Sequence, residues 1–290
     1  MKKVLVTGVN SYVGNSFAEW IEQYPDEYEV DRISVRDDKW KEIDLSVYDS
    51  ILHVAGIAHV SIDPNMEEKY YKVNRDLTIE LAQAAKEAGV KQFIFMSSII
   101  VYGDSKAEKI VIDRDTKPNP SNFYGRSKLE AEEGILPLED DYFKVAIVRP
   151  PMIYGKGSKG NYPKLAKAAQ KLIIFPDIDN KRSMLHIDNL SEFLRLVIKN
   201  EDKGLFFPQN KEYVKTSDMV REIAYAHGKN IYLTKAINVI LKPLIPRVNT
   251  LNKVFGNLVY EQKISEYKQI YQLKGLEQSI KATEWEFLRK

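Results

Sequence analysis

Tyr124 and Lys128 stand four residues apart in the run Ser121-Asn122-Phe123-Tyr124-Gly125-Arg126-Ser127-Lys128-Leu129-Glu130-Ala131-Glu132. On a helix, positions i and i+4 share one face. A phenol beside a fixed ammonium ionises more readily, because the positive charge favours the phenolate. Such a pair can pass a proton to or from a sugar or alcohol oxygen. The spacing alone does not choose this pair, since Tyr102/Lys106 and Tyr225/Lys229 share it. A surface helix pair would look the same.

The second stretch with chemical content is Gly8-Val9-Asn10-Ser11-Tyr12-Val13-Gly14, which follows the apolar run Lys3–Thr7. Strand, glycine turn and helix together place a pyrophosphate on the first amides of the helix. Gly8 permits the tight turn and Gly14 the close packing of helix on strand. The middle glycine of the usual pattern is Ser11 here, a residue small enough for a diphosphate to approach. Tyr28–Val35 reads as the next strand, and the side chain at its end meets the adenosine ribose. Arg36, followed by Asp37 and Asp38, points towards NADPH. A solvated charge cluster is the alternative reading.

The elements that must position these groups alternate. Ser50–Gly56 is apolar and ends in Ala55-Gly56, where a backbone can lie against a flat ligand. A helix follows, with Tyr71, Val73-Asn74, Leu77, Leu81, Ala84 and Ala85, and stops at Gly89. Gln92–Met96 is a buried strand that ends in Ser97-Ser98. This β-α-β order predicts a doubly wound parallel sheet with helices on both faces and ligands at the carboxyl ends of the strands. Ser121 or Asn122 caps the helix that carries Tyr124.

Bulk properties narrow the function classes. A chain of 290 residues holds one large domain or a domain with a lobe. The formal charge of +2 gives no reason to expect nucleic acid. Without cysteine there is no disulfide, thiolate metal site or cysteine nucleophile, and His53, His59, His186 and His227 do not cluster as metal ligands. No apolar run reaches the roughly 18 residues of a membrane span, and Lys2–Val6 is too short for a signal peptide. These features lead to the expectation of a cytoplasmic, soluble protein without a metal.

In order along the chain, Thr7-Gly8…Gly14, Asp44-Leu45, His53-Val54-Ala55-Gly56, Val73-Asn74, Ser97–Gly103, Tyr124–Lys128 and Arg149–Gly155 form an ordered set, joined by Arg182–Asn189. With that set, residues 1–225 resemble the extended short-chain dehydrogenase/reductases, the NAD(P)-dependent epimerase/dehydratase group that acts on nucleotide sugars. The resemblance implies a Rossmann-type domain over residues 1–155, rejoined by about 181–200, and a smaller C-terminal substrate-binding lobe over 156–290. It selects Tyr124/Lys128 among the three pairs. By the same resemblance Ser98 holds the reacting oxygen, Tyr124 is the acid/base, and Lys128 binds the nicotinamide ribose and lowers the tyrosine pKa. The cofactor, NADP or NAD with NADP favoured, is expected along Gly8, Asn10, Ser11, Tyr12, Val13 and Gly14. Arg36, Asp44, Leu45, Ala55 and Gly56 continue its site, as do Asn74, Pro150 and Pro151. Substrate is expected at Ser98, Ile100, Asn161, Lys164, Phe175 and Arg182.

Arg182 suits a substrate diphosphate, because a guanidinium matches two phosphate oxygens at once. An inter-lobe ion pair with Asp188 is its alternative, and His186 reads as structural. In the 4,6-dehydratase branch an Asp-Glu pair follows the catalytic hydroxyl residue. Here Ile99 and Ile100 stand there, so dehydration is not expected. What remains is hydride chemistry at one carbon. The first expectation is reduction of a UDP-linked 4-keto-6-deoxy-hexosamine for surface polysaccharide. The second is 4-epimerisation of a UDP-hexose or UDP-N-acetylhexosamine with retained NAD, and a non-catalytic NADP-binding regulator is a remote third. Family members often dimerise, which makes a homodimer possible. The apolar run Ala236–Pro246 is expected to pack over the substrate lobe rather than lie on a membrane surface, and no chemistry is assigned from Gly256 to Trp285.

Overall fold

The computed structural model describes residues 1–57, 63–103 and 111–284, so His59, Lys106 and Trp285 lie outside the described residues. The first half carries β1 (Lys2–Thr7), α1 (Tyr12–Ile21), β2 (Tyr28–Ile33), β3 (Ser50–His53), α2 (Glu67–Tyr70), α3 (Leu77–Glu87), β4 (Gln92–Met96), β5 (Val111–Ile112), α4 (Phe123–Ile135) and β6 (Lys144–Val148). It continues with β7 (Met152–Tyr154), α5 (Asn161–Lys171), β8 (Ile174–Pro176), β9 (Met184–His186), α6 (Ile187–Asn200) and β10 (Gly204–Phe206). The remainder is α7 (Thr216–Ala226), β11 (Tyr232–Thr234), α8 (Asn238–Leu244), α9 (Asn249–Phe255), β12 (Val259–Tyr260) and α10 (Leu276–Glu284).

Six strands form one parallel sheet in the order β10-β6-β4-β3-β1-β2. The alternation of side chains along a strand sends Val4 and Val6 to one face and Leu5 to the other. Both faces are covered, which is why these strands are apolar without alternation. Val4, Val6, Ile94 and Val148 pack under α1 and α6 with Phe17, Leu190 and Phe193. Leu5, Ile51, Phe93 and Val145 pack under α3 and α4 with Leu81, Ala85 and Ala131. β2 ends at Ile33, two residues before the expected Val35, and leaves Ser34–Asp37 as a loop.

The C-terminal lobe has its own core, built on Tyr154, Tyr162, Phe175, Val214, Ile223 and Ile280. Its strands are short parallel pairs: β8 with β11, and β7 with β9. The segment 181–183 is stitched between two neighbours. Arg182 N donates to Val214 O at 3.0 Å, Val214 N returns a bond to Arg182 O at 2.9 Å, and Ser183 N donates to Leu258 O at 3.0 Å. Backbone held on both sides gives the Arg182 side chain a fixed origin.

Candidate active site

A cleft of about 1830 Å³ runs across the carboxyl ends of β1, β3, β4 and β6 and onto the C-terminal lobe. At one end lies the turn after β1. Gly8 has φ +94°, and a Cβ there would stand 3.2 Å from Ala55 Cα, so a side chain would be strained and crowded at once. Ser11 caps α1, its hydroxyl accepting from Gly14 N at 3.3 Å. Gly8, Asn10, Ser11, Tyr12 and Val13 line the cleft, as do Arg36, Ala55 and Gly56. Gly14 lies beneath, packed against Val6 and Val54. A glycine turn, open amides at a helix start and a small Ala-Gly strand end suit a dinucleotide pyrophosphate.

Two expected cofactor residues sit elsewhere. Asp44 does not line the cleft, because its carboxylate caps the next turn, accepting from Ser46 N at 3.0 Å and Ser46 Oγ at 2.6 Å. Leu45 is buried in the core beside Trp40 and Tyr48. Phe175 is likewise absent from the cleft wall. It points into the lobe core, 5.7 Å from the Phe255 ring.

The centre of the cleft holds Ser98, Tyr124 and Lys128 with Ile99, Ile100, Pro150 and Pro151. Asn122 caps α4, its Oδ1 accepting from Gly125 N at 2.9 Å, so it is Asn122 rather than Ser121 that starts this helix. A Cβ on Gly125 would stand 2.8 Å from Ile100 O and 2.8 Å from Pro120 Cβ. The absent side chain lets α4 press against the turn that follows Ser98 and places Tyr124 and Ser98 on the same stretch of cleft wall; the Ser98 hydroxyl itself accepts from Ile100 N at 3.3 Å. Burial pushes the Tyr124 phenol up to about 12; the nearby Ser98 hydroxyl opposes this and Tyr70 adds to it. Lys128 shares this helix face and is itself held at the end of the sheet. Its ammonium donates to Met96 O at 3.0 Å, lies 4.6 Å from the Phe95 ring centroid, and is pushed down to about 8 by burial.

Asn74 is fully buried and shapes the site from behind. It holds the chain after β3, with Oδ1 accepting from Ile57 N at 2.8 Å and Nδ2 donating to Ile57 O at 3.2 Å. Nδ2 also donates to Ser127 Oγ at 3.1 Å, and Ser127 donates to Tyr124 O at 2.9 Å. Asn74 can do this because residues Tyr71–Asp76 form a single π turn between α2 and α3. Thr78 donates to Asn74 O at 2.8 Å and meets His53 Nε2 at 3.0 Å, while Thr7 lies 2.7 Å from His53 Nδ1. Burial, with the Lys128 charge, pushes His53 down to about 3, so it is a neutral strut.

A second buried network underlies the floor. Glu132 receives two bonds from Arg149 Nε, at 3.0 and 3.1 Å, and further bonds from Arg149 Nη2 and Ser97 Oγ. Arg149 Nη1 donates to Tyr102 Oη at 2.6 Å. Tyr102, from the competing Tyr/Lys pair, is thereby part of the scaffold.

At the far end the cleft is lined by Asn161, Lys164, Arg182 and Lys253. The Arg182 guanidinium donates to Gly256 O at 3.0 Å, and burial alone pushes it down to about 10. It makes no pair with Asp188, which holds Lys274 instead. His186 is buried and neutral, pushed down to about 4, and caps α6 by accepting from Asp188 N at 3.3 Å. Lys253 and Lys159, both on the wall, escaped the sequence reading because nothing in their local sequence marks them. Among the described residues no cluster of His, Cys, Asp and Glu could hold a metal, and no helix is long and apolar enough to cross a membrane.

The sequence pattern of the NAD dependent epimerase/dehydratase family matches residues 4–207. A UDP-glucose 4-epimerase from Vibrio cholerae is 31% identical over 253 residues, which are 79% of this chain and 76% of that protein. An N-acetyl-α-D-glucosaminyl-diphospho-ditrans,octacis-undecaprenol 4-epimerase from Escherichia coli O157:H7 is 30% identical over 68% of this chain and 60% of its own. A GDP-6-deoxy-D-mannose reductase from Pseudomonas aeruginosa is 25% identical over 77% of this chain and 79% of its own. In fold, the structure of a UDP-N-acetylglucosamine 4-epimerase from Bacillus cereus superposes over all of both chains with a TM-score of 0.77 at 17% identity.

Proposed function

Because the chain belongs to the NAD-dependent epimerase/dehydratase family, we propose that it carries out redox chemistry at C4 of a diphospho-sugar, as the reductase of a UDP-linked 4-keto-6-deoxy-hexosamine in surface polysaccharide synthesis. The observation that supports this reading is that the Ser98 and Tyr124 hydroxyls share the cleft wall with Ile99 and Ile100 beside them. Two hydroxyls can serve one sugar oxygen, and two isoleucines offer no second proton route for loss of water. Held as a neutral phenol, Tyr124 is ready to give its proton to the C4 oxygen as the carbonyl becomes an alcohol. Ser98 positions that oxygen.

The nicotinamide cofactor of the family supplies the hydride when bound. Gly8–Val13 would seat its pyrophosphate, Arg36 a 2′-phosphate, Ala55-Gly56 and Pro150-Pro151 its flat faces, and Lys128 the ribose next to the ring. Arg182, with Lys253 nearby, would hold the sugar diphosphate. A diphosphate is what UDP-sugars share with the polyprenol-linked sugar in the name of the E. coli relative.

A second reading, 4-epimerisation with retained NAD, has the support of the Vibrio and E. coli relatives. One experiment separates the two. The purified protein is denatured, any released dinucleotide is identified, and the emptied enzyme is titrated with NADPH and NADH. A protein that emerges empty, prefers NADPH and consumes it with the 4-keto sugar is the reductase. Tightly retained NAD with interconversion of UDP-N-acetylglucosamine and its 4-epimer rejects the reductase reading. In either case Tyr124→Phe is expected to cut turnover about 100- to 10,000-fold with cofactor affinity kept.

A further inference from the structure

The outer side of the C-terminal lobe is apolar where a soluble surface should be polar. β8 and β11 pair with Ile174 opposite Tyr232. Their neighbours Phe175 and Leu233 turn into the lobe core, which leaves Ile174 57% and Tyr232 68% exposed. Ile173, just before, is 70% exposed. Three residues after β11 comes α8, whose Leu241 packs against the core, as does Ile245 just beyond it. Its opposite face is equally apolar, with Val239 82% and Ile240 66% exposed. Asn238 ties the helix start to the end of β8, donating to Asp177 O at 2.8 Å. A helix that is apolar on both sides, with one side in the open, wants a second apolar phase.

Cations outnumber anions around this face: Asp177 and Asp179 follow β8, with Asp177 paired to Lys215, and Glu222 and Glu277 lie beside Lys229. Between Glu222 and Glu261 the sequence has no acidic residue, and Lys229, Lys235, Lys242 and Arg247 are all exposed there. From the other side, α5 presents Lys164, Lys167 and Lys171 at i, i+3 and i+7, all exposed, with Lys164 on the cleft wall. This row of ammonium groups leads from the cleft to the apolar face.

We infer that this face docks the protein on an anionic membrane surface, with Ile173, Ile174, Tyr232, Val239 and Ile240 in the headgroup–acyl boundary and the lysines on lipid phosphates. Apolar side chains rimmed by cations fit such an interface, which rewards both buried apolar area and positive charge. A second copy of the chain would bring a mostly cationic rim against itself, which disfavours that occupant. Docking would set the substrate end of the cleft beside the lipid, since Lys164 belongs to both. The sequence expectation that Ala236–Pro246 simply packs over the lobe is met by Leu241 and Ile245 alone. The run itself supplies only Lys242, and the other cations come from α5 and from the residues flanking β11 and α8.

The test is flotation of the full-length protein with vesicles of phosphatidylethanolamine and phosphatidylglycerol (7:3), and with phosphatidylcholine vesicles, at 50 and 500 mM salt. Selective flotation with the anionic vesicles, weakened by salt, is expected. Val239→Glu with Ile240→Glu should lower partitioning more than ten-fold, and Lys242→Glu about ten-fold. Cofactor affinity of both variants should match the parent, because none of these side chains lines the cleft. Absence of the parent from anionic vesicles overturns the inference, as does undiminished flotation of both variants. A parent that stays off vesicles and is a dimer by light scattering, turned monomeric by the double variant, assigns the face to self-association instead.

Discussion

Arg149 is a buried arginine under the floor of the cleft and Arg182 a half-buried one on its far wall, and they are held in opposite ways. Arg149 has a carboxylate, Glu132, and a phenol, Tyr102, and pairing keeps its pKa above the ordinary arginine value despite burial. Arg182 has one backbone carbonyl, and burial pushes it down to about 10. A buried charge is costly unless paired. Where the fold supplies the partner, the residue belongs to the scaffold. Where it fixes the backbone on both sides and gives the guanidinium, among the described residues, one carbonyl, the proposal is that an anion from outside completes the set.

The sharpest way to break this contrast is Glu132→Gln, which leaves Arg149 uncompensated. It is expected to destabilise the fold by about 3–5 kcal/mol, as removal of one member of a buried ion pair does. Urea unfolding reads this directly, and a loss below about 1 kcal/mol would mean that Arg149 finds no support from its pair. Arg182→Met should behave oppositely, with an unfolding midpoint equal to or above the parent's and substrate KM raised about 10- to 100-fold, the scale of one or two charge-assisted hydrogen bonds. Cofactor affinity should not move. Equal losses of both ligands, with a lower midpoint, would return Arg182 to the scaffold.

Lys128 lies between these cases, with a carbonyl partner, a ring face and a pKa pushed down to about 8. Its folded pKa is below the unfolded one, so its burden on stability is full below pH 8 and lifts as pH rises towards the unfolded value. Lys128→Met should therefore melt no lower than the parent at pH 7, lose that advantage as pH climbs above 8, and bind cofactor more weakly at every pH. His53 is the neutral extreme, since it stays uncharged in the fold down to about pH 3. The sign is clear: the unfolded chain takes up its proton near the ordinary histidine pKa, so stability is full above that value and drains as pH falls from it towards 3. His53→Gln should flatten that acid limb, measured as urea midpoint against pH, and an unchanged limb would shift the effect to His186.

Much of the fold was legible because its signals are local. Strand, glycine turn and helix are adjacent at Lys3–Ile21, and Tyr124 and Lys128 share a helix face by spacing alone. Other features depend on partners far along the chain. That Arg182 has no carboxylate partner among the described residues depends on Val214, Gly256 and Leu258, none of which its own segment announces. Asp44 and Leu45 matched a pattern, yet their side chains serve a turn and a core. Lys128 shares a helix face with Tyr124, and its bond to the carbonyl of Met96 depends on a strand 32 residues away. Along Ala236–Pro246 the composition was plain and the orientation was not. Seven helical residues with a proline show no period, and only the packing against Leu241 says that Val239 and Ile240 face outward.

The π turn at Tyr71–Asp76 has a consequence for insertions and deletions in this chain. A π turn fits one more residue into a helix than regular winding would, so the stretch from Glu67 to Glu87 holds one residue in a local widening. Deleting one residue there, for instance Lys72, would let the helix wind regularly and would cost no core side chain. The turns on either side would keep their phase, because the wider winding had already absorbed the extra residue, but the local widening that offers the Asn74 amide to both neighbours would be lost. Asn74 would then have to give up either Ile57 or Ser127. A change that smooths the helix would thus unfasten the loop after β3 from the helix that carries Tyr124. The irregular form is the one that holds the two walls of the cleft together.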